Sequence, residues 1–192
     1  MIYLASASPR RAELLRQLGL SFSVVSAEVD ETCRSDESPH DYVARLALEK
    51  ARAGWSVANA GVNDVLLSAD TSVVADDHIL GKPVDENDAL TMWQRLSDNE
   101  HQVLTGVCCK TAHSERVAVC TTRVWMRAVS ATEWRDYWRS GEPRDKAGGY
   151  AIQGLAARFI TRIDGSYSNV VGLPLHLVDE LLHAASAKGV LR

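Results

Sequence analysis

The sequence predicts an α/β protein with a mixed β-sheet, and three observations support this fold class. Strand-like and helix-like segments alternate in the N-terminal half, which is typical of strands joined by helices. Two long β-rich runs, at 102–112 and 116–129, are separated by a short polar turn, which indicates an antiparallel hairpin. The 192 residues are 46% hydrophobic and 24% charged. These values are near globular averages and exclude a mainly disordered, collagen-like or coiled-coil chain.

The elements of the N-terminal half each have a local signal. Residues 2–6 form a short apolar strand, and the Ser-Pro pair at 8–9 begins a helix. Serine is a favoured N-cap, and proline fits the first helical turn because its missing N–H has no intrahelical partner there. Gly19 ends this helix, and residues 21–29 favour a strand. A second Ser-Pro pair predicts a helix over 38–53.

The remaining chain continues with apolar runs and clear helix starts. Ser130 and Glu133 have the spacing of a capping box, in which each side chain bonds the backbone N–H of the other. The predicted elements are strands at 65–76, 79–80 and 157–163, helices at 86–97 and 130–141, a glycine-rich loop at 145–154 and a final helix from Pro174. Without a linker or repeat, we expect residues 1–192 to form a single domain.

Charge, hydropathy and cysteine spacing restrict the class of protein. With 21 basic against 25 acidic residues, the net charge of −4 argues against stable nucleic-acid binding, which needs a basic excess. No window reaches the roughly 18 apolar residues of a membrane span, and the first residues do not resemble a signal peptide. The four cysteines have no zinc-site spacing and are interpreted as buried thiols. We therefore expect a cytoplasmic protein that does not enter membranes.

A strand-to-helix junction near the N-terminus is the first candidate site. Ser6, Ser8, Arg10 and Arg11 lie there. Exposed N–H groups and the helix dipole attract an anion, and guanidinium groups match phosphate oxygens. Two arginines at a helix start are unfavourable unless an anion compensates them. The other interpretation is that both are solvated first-turn residues, but the pattern favours phosphate binding.

Asp70 lies within an otherwise apolar predicted strand and is the second candidate. A buried carboxylate needs a partner, so Asp70 is either a structural residue with satisfied hydrogen bonds or a general base or metal ligand. Glu31, Lys50 and Lys82 are further polar candidates. Carboxylates that hold Mg²⁺ and basic groups that neutralise phosphate are what a metal-bound triphosphate requires. The sequence contains neither a Walker motif nor an early GxGxxG fingerprint.

An aromatic segment at 134–139 has two interpretations. Its alternation of aromatic and charged residues suggests base stacking on nucleic acid. At helical spacing, however, Trp134, Tyr137 and Trp138 form one apolar face. We expect this face in the core or in a subunit contact, which leaves a homodimer open. The scattered histidines are expected to be surface or packing residues.

With these residues in hand, the chain resembles the Maf family of nucleoside triphosphate pyrophosphatases over nearly its whole length. Seven strings occur in the family's order, which makes the resemblance specific. They are LASASPRRAELL at 4–15, EVDE at 28–31, LEKA at 48–51, SADT at 68–71, LGKP at 80–83, DKAGGYAIQG at 145–154 and GSYSNVVGLP at 165–174.

The resemblance implies a fold, a reaction and roles for individual residues. The implied fold is an elongated mixed sheet with flanking helices, similar to the inosine-triphosphatase-like enzymes, with two lobes around a cleft. The implied reaction is hydrolysis of a nucleoside triphosphate to the monophosphate and pyrophosphate, dependent on a divalent metal such as Mg²⁺ or Mn²⁺. By position, the triphosphate ligands are Arg10, Arg11, Lys50 and Lys82, the metal-associated carboxylates are Glu31 and Asp70, and the proton acceptor is Asp70.

Three positions distinguish branches of this family, and they are occupied here by Arg10, Thr71 and Gln153. This combination resembles the branch that prefers dTTP and UTP. An amide such as that of Gln153 can both donate to and accept from the O4/N3 edge of thymine or uracil. The alternatives are the same chemistry on 7-methyl-GTP or another noncanonical nucleotide, or a nucleotide-binding inhibitor of septum formation.

Overall fold

A computed structural model describes residues 1–186, so residues 187–192 of the predicted domain lie outside the described part. This part has seven strands: β1 (Ile2–Ala5), β2 (Ser23–Val25), β3 (Val65–Ala75), β4 (His78–Leu80), β5 (Glu100–Lys110), β6 (Glu115–Met126) and β7 (Ile160–Asp164). Its α-helices are α1 (Pro9–Arg16), α2 (Pro39–Ala58), α3 (Glu86–Leu96), α4 (Ala131–Arg139), α5 (Tyr167–Val171) and α6 (Leu175–Ser186). The predicted α/β class is confirmed.

The strands form one mixed sheet in the order β2-β1-β3-β5-β6-β7, with β4 paired to β3. Strand β1 lies parallel to both β2 and β3, with Leu4 opposite Val24 on one side and Leu67 on the other. Strands β4 and β7 pair antiparallel to β3 and β6. Parallel and antiparallel pairs in one sheet therefore confirm the mixed sheet that the sequence predicts.

Helix starts follow the predicted capping signals. Ser130 and Glu133 form both hydrogen bonds of a capping box at the start of α4. Ser38 caps α2 by accepting a hydrogen bond from the N–H of Asp41. Helix α2 ends at Ala58 rather than at the predicted residue 53, because Gly54 is buried against Ala5 and does not terminate the helix.

Two strands are shorter than the sequence predicts, and one helix, α5, is not predicted. Strand β2 is shorter than 21–29, and the predicted strand at 157–163 begins only at Ile160. The apolar residues before it form a 3₁₀ turn over Leu155–Phe159, which buries Phe159 in the core. Helix α5 has no apolar stripe to reveal it. Its buried Asn169 donates to the carbonyl of Val103 and to the hydroxyl of Thr122.

The chain divides into two compact units. The first contains Met1–Asp70, Thr105–Cys120 and the chain from Gly172 onwards. The second contains Thr71–Leu104 and Thr121–Val171. Strands β3, β5 and β6 each contribute residues to both units.

The first unit has a core of small and aliphatic residues between α2 and the sheet: Ala5, Ala47, Ala51, Leu66 and Cys108. Cys108 and Cys109 are both buried, as predicted, and burial raises the pKa of their thiols to about 12 and about 11. The prediction of a buried thiol is wrong for Cys33, which is exposed because it lies in the loop between β2 and α2.

The second unit has an aromatic core. Trp93 of α3 stacks on Trp134 of α4 with ring centroids 4.6 Å apart, and Phe159 packs edge-on against Trp134 at 4.8 Å. Tyr137 is also buried in this cluster. The aromatic face of 134–139 is therefore a core face. None of the helices within residues 1–186 is both long enough and apolar enough to span a bilayer.

Candidate functional site

Lys50 brings together two of the predicted carboxylates in the first unit. Its Nζ lies 2.6 Å from Oδ1 of Asp70 and 2.6 Å from Oε1 of Glu31. Asp70 lies in β3 and is 7% exposed, whereas the side chain of Glu31 is 53% exposed. The carboxylates of Asp70 and Glu31 therefore both contact the Lys50 ammonium group. The Asp70 carboxylate is buried, whereas that of Glu31 is open to solvent.

The packing of α2 on β3 explains this convergence. The hydroxyl of Ser68 donates a 2.6 Å hydrogen bond to the carbonyl of Ala47, which fixes the helix against the strand. Lys50 is three residues beyond Ala47 and thus on the same side of α2, and Asp70 is two residues beyond Ser68 on the same face of β3. A buried carboxylate without a partner is costly, and Lys50 supplies that partner.

The loop between β2 and α2 is held by side chains of α2. The Tyr42 hydroxyl donates to the backbone carbonyl of Glu31 at 2.8 Å. Burial, together with the negative charges of Asp70 and Glu31, raises the pKa of Tyr42 to about 12. Arg45 donates to Glu37 at 2.6 Å and to the carbonyl of Thr32 at 3.1 Å. The Arg45 guanidinium lowers the pKa of Glu37 to about 2.

Sequence reasoning missed the roles of Tyr42 and Arg45. Neither residue is among the candidates that the sequence singles out. A local signal exists, because 42, 45 and 49 are spaced by three and four residues and so share a helix face. Glu49 completes that face by accepting a hydrogen bond from Arg45 at 3.1 Å.

Arg11 is fixed at the junction of β1 and α1. Its Nε donates to the carbonyl of Gly172 at 2.8 Å, and its Nη1 donates to Oγ of Ser6 at 3.3 Å. The N–H of Ser8 also donates to Oγ of Ser6, at 3.2 Å. Burial lowers the pKa of Arg11, and the negative charge of Asp70 opposes this effect. Arg11 is therefore not a solvated first-turn residue, and it lies within the electrostatic influence of Asp70.

Ser8 and Arg10 flank Pro9 at the start of the same helix. Ser8 occupies the N-cap position, but its side chain makes no capping hydrogen bond. Arg10 is half-buried, and its positive charge contributes to the lowered pKa of Arg11. The first unit thus places two guanidinium groups at a helix N-terminus, where phosphate groups bind favourably.

Three further predicted site residues, Thr71, Lys82 and Gln153, belong to the second unit. Thr71 directly follows Asp70 in β3, at a boundary between the units. Lys82 is exposed in the loop after β4. This loop contacts the glycine-rich segment that leads to Gln153, because the carbonyl of Gly81 accepts a 2.9 Å hydrogen bond from Gly148.

Glu31 and Asp70 are the two predicted carboxylates that could hold a metal ion, and both contact Lys50. Within residues 1–186, no cluster of three or more His, Cys, Asp or Glu side chains is arranged to hold a metal ion. Mg²⁺ is commonly held by one or two carboxylates together with substrate phosphates and water. Two carboxylates that already converge on the ammonium group of Lys50 fit that mode of binding.

Comparisons with known proteins cover nearly the whole chain. The profile of a family described as Maf-like protein matches residues 1–185. A protein of Pseudoalteromonas translucida named dTTP/UTP pyrophosphatase is 51% identical over 181 residues, which is 94% of this chain and 95% of the relative. A protein of Vibrio cholerae with the same name is 50% identical over 182 residues, covering 95% and 96% of the two chains.

A solved structure supports the fold independently of sequence. The Ham1 protein of Staphylococcus aureus aligns with 95% of this chain and 98% of its own, with a TM-score of 0.53 and 10% sequence identity. At this identity the likeness concerns the fold alone, and it agrees with the mixed sheet and flanking helices.

Proposed function

The chain belongs to the Maf family, and from this membership we propose that it hydrolyses dTTP and UTP to the nucleoside monophosphate and pyrophosphate. Relatives that are 50–51% identical to this chain over 94–95% of its length carry the name dTTP/UTP pyrophosphatase, and they support this substrate choice. The structural observation that carries the proposal is the convergence of Asp70 and Glu31 on Lys50.

Asp70 has the position and partners of a general base. In the proposed reaction, a water molecule attacks a phosphorus of the triphosphate and loses its proton to the Asp70 carboxylate. The P–O bond between the α and β phosphates breaks, and pyrophosphate leaves. Lys50 holds the Asp70 carboxylate in place before the reaction, because its ammonium group lies 2.6 Å away.

The basic residues bind the phosphate chain in this proposal. Arg10, Arg11 and Ser8 offer guanidinium and hydroxyl donors at the start of α1, and Lys50 and Lys82 add compact charges. The fixed position of Arg11, held by Gly172 and Ser6, supports a site formed before the anion binds. Donors that are held in place lose less conformational entropy on binding, which strengthens the interaction.

We propose that Glu31 and Asp70 hold a divalent cation, Mg²⁺ or Mn²⁺. Such an ion supplies positive charge that neutralises the phosphate oxygens and stabilises the leaving pyrophosphate. The open side of Glu31 suits an ion that arrives with the nucleotide and keeps several waters. Lys50 then turns its ammonium group toward the phosphates.

Base selection is assigned to Gln153, with Thr71 shaping the pocket; Arg10 is the third of the positions that distinguish branches of the family. The primary amide of Gln153 offers a donor for O4 and an acceptor for the N3–H of uracil or thymine. We place the activity in the cytoplasm, where free nucleotides are made and used. The net charge of −4 agrees with a free nucleotide, rather than a nucleic acid, as the substrate.

Pyrophosphate release measures this function directly. With Mg²⁺ or Mn²⁺, we expect UTP and dTTP to give the monophosphate and pyrophosphate at much higher kcat/KM than 7-methyl-GTP, and EDTA to abolish the reaction. Release of orthophosphate, or a preference for 7-methyl-GTP, contradicts the proposal. Nucleotide binding without turnover supports a binding regulator instead.

A further inference from the structure

The turn that carries Gln153 is bonded at both ends to one pair of side chains in the second unit. The N–H of Ala151 donates to the hydroxyl oxygen of Tyr137 at 3.1 Å, and the N–H of Leu155 donates to Oε2 of Glu142 at 3.0 Å. The Tyr137 hydroxyl in turn donates to Oε1 of Glu142 at 2.7 Å. Gln153 is exposed midway between the two bonded amides.

The side chain of Tyr137 is held in place by its neighbours in the core. It is 1% exposed, and its ring packs at 5.5 Å from Trp93 and at 5.8 Å from Phe159. Burial and the neighbouring carboxylate of Glu142 raise the pKa of the Tyr137 hydroxyl far above its usual range. The hydroxyl therefore keeps its proton and remains a hydrogen-bond donor to Glu142.

The chain reverses its direction between Tyr137 and Glu142. Gly141 has a φ of 77°, which glycine adopts without strain, and this turn brings Glu142 back toward Tyr137 at the end of α4. Glu142 also packs against the α-carbon of Gly154, so closely that a Cβ at position 154 would collide with the carboxylate. The close approach of Glu142 therefore explains why position 154 is occupied by glycine.

The turn also closes on itself. The N–H of Gly154 donates to the carbonyl of Ala151 at 3.1 Å, and the side chain of Ile152 is buried. The buried side chain of Ile152 holds the turn against the core, but apolar contacts have no direction and do not set the orientation of the turn. The two outer hydrogen bonds have direction, and they fix the orientation of the backbone at Gln153.

We propose that Tyr137 and Glu142 are positioning residues for base recognition: they hold the turn 151–155 so that the Gln153 amide meets the pyrimidine in a single orientation. This inference rests on the proposed role of Gln153. A fixed amide discriminates between O4 of UTP and the amino group of CTP, because the wrong base leaves a polar group unpaired. A loosened turn lets the amide leave the orientation that pairs with UTP, so the preference for UTP is lost while CTP hydrolysis is little changed.

The test compares UTP with CTP, which differ in the group at position 4 and in the proton on N3, so the donor and acceptor pattern that the Gln153 amide would meet is reversed in CTP. Tyr137→Phe removes the hydroxyl that bonds Ala151, and Glu142→Gln removes one of the two acceptors. We expect each variant to lower the UTP/CTP ratio of kcat/KM by about tenfold, the effect of one lost hydrogen bond, while CTP hydrolysis changes by less than about twofold. Tyr150→Phe is the matched control, because it removes another buried hydroxyl, bonded to His101 at 2.7 Å. It should leave the ratio unchanged.

A double variant and an amide measurement separate positioning from stability. In the Gln153→Ala background, Tyr137→Phe should leave the UTP/CTP ratio unaltered, since the group it positions is gone. In Tyr137→Phe alone, hydrogen exchange at Ala151 should be at least about tenfold faster than in the Tyr150→Phe control. An equal fall in UTP and CTP hydrolysis, together with a lower Tm, overturns the inference in favour of a structural role.

Failure of the inference is distinguishable from failure of the proposed function. If the unaltered protein prefers UTP but both Tyr137→Phe and Glu142→Gln keep the full ratio, only the positioning role is wrong. If the unaltered protein does not hydrolyse UTP, or does not prefer it to CTP, the proposed function is wrong, and so is the inference that rests on it.

Discussion

Lys50 Nζ lies 2.6 Å from Oδ1 of Asp70, so the proposed general base is already ion-paired before any nucleotide binds. In the half-buried setting of the pair, the removal of either partner leaves a charge without its closest counter-charge. Lys50 also contacts Glu31, so one ammonium group pairs with both carboxylates that are proposed to hold the cation.

Asp70→Asn should retain the fold and much of the nucleotide binding but lose turnover. An amide of the same shape keeps its place beside Lys50 but cannot accept the proton of water. We expect kcat for UTP to fall by about 10²–10⁴-fold, as measured by steady-state pyrophosphate release. Asp136→Asn, at an exposed position paired with Arg139, is the control and should keep full activity. Turnover within twofold of normal in Asp70→Asn contradicts the assignment of the base.

Arg11→Ala and Lys82→Ala should separate structure from substrate binding. Both should weaken kcat/KM, because each removes a proposed phosphate contact. Only Arg11→Ala should also lower stability, by about 1–3 kcal/mol, since it removes hydrogen bonds to Gly172 and Ser6. Thermal melts and kinetics of the two variants test this. The proposed phosphate site loses its support if both variants keep normal kinetics.

Gln153→Glu should depress UTP and dTTP hydrolysis, because a carboxylate cannot donate to O4. It should favour a guanine edge, which presents N–H donors, so the UTP/7-methyl-GTP ratio of kcat/KM should fall. Gln102→Glu, an exposed position in β5, introduces the same charge and should preserve the ratio. An unchanged ratio in Gln153→Glu removes this residue from base selection.

His101 should make the protein less stable as the pH falls below 6.5. Burial lowers its pKa from 6.5 to about 4 in the folded state. The unfolded chain therefore binds a proton in this window while the folded chain does not, and stability falls as pH drops from 6.5 toward 4. Linkage gives a loss of about 2 kcal/mol between pH 7.5 and pH 5.

Urea unfolding at several pH values measures this loss. His101→Gln should flatten the slope of stability with pH, whereas His78→Gln, at an exposed position, should keep it. The same slope in His101→Gln and in the unaltered protein shows that other groups cause the pH dependence.

The sequence predicts what depends on local geometry. The capping box of Ser130 and Glu133, the Ser-Pro helix start at 38–39 and the buried character of β3 are all confirmed. The convergence of Glu31 and Asp70 on Lys50 is not visible in any spacing, because it depends on the packing of α2 against β3.

Polar roles inside apolar patterns are the hardest to predict. Tyr137 belongs to an apolar helix face, and the pattern gives no sign that its hydroxyl supports a turn 14 residues away. The strand predicted from 157 fails for a related reason. Residues 157–159 belong instead to a 3₁₀ turn in which Phe159 is buried and Ala157 and Arg158 are exposed, and short apolar runs do not distinguish such a turn from a strand.

The hydrogen bond between Arg11 and Gly172 joins residues 161 positions apart, which has a consequence for protein synthesis. All of the second unit lies within residues 71–171, so it is synthesised before Gly172 is added. The first unit starts at Met1 but lacks its last segment until then. Arg11 can therefore form its hydrogen bond to Gly172, and the first unit can complete its fold, only after the whole of the second unit has been synthesised.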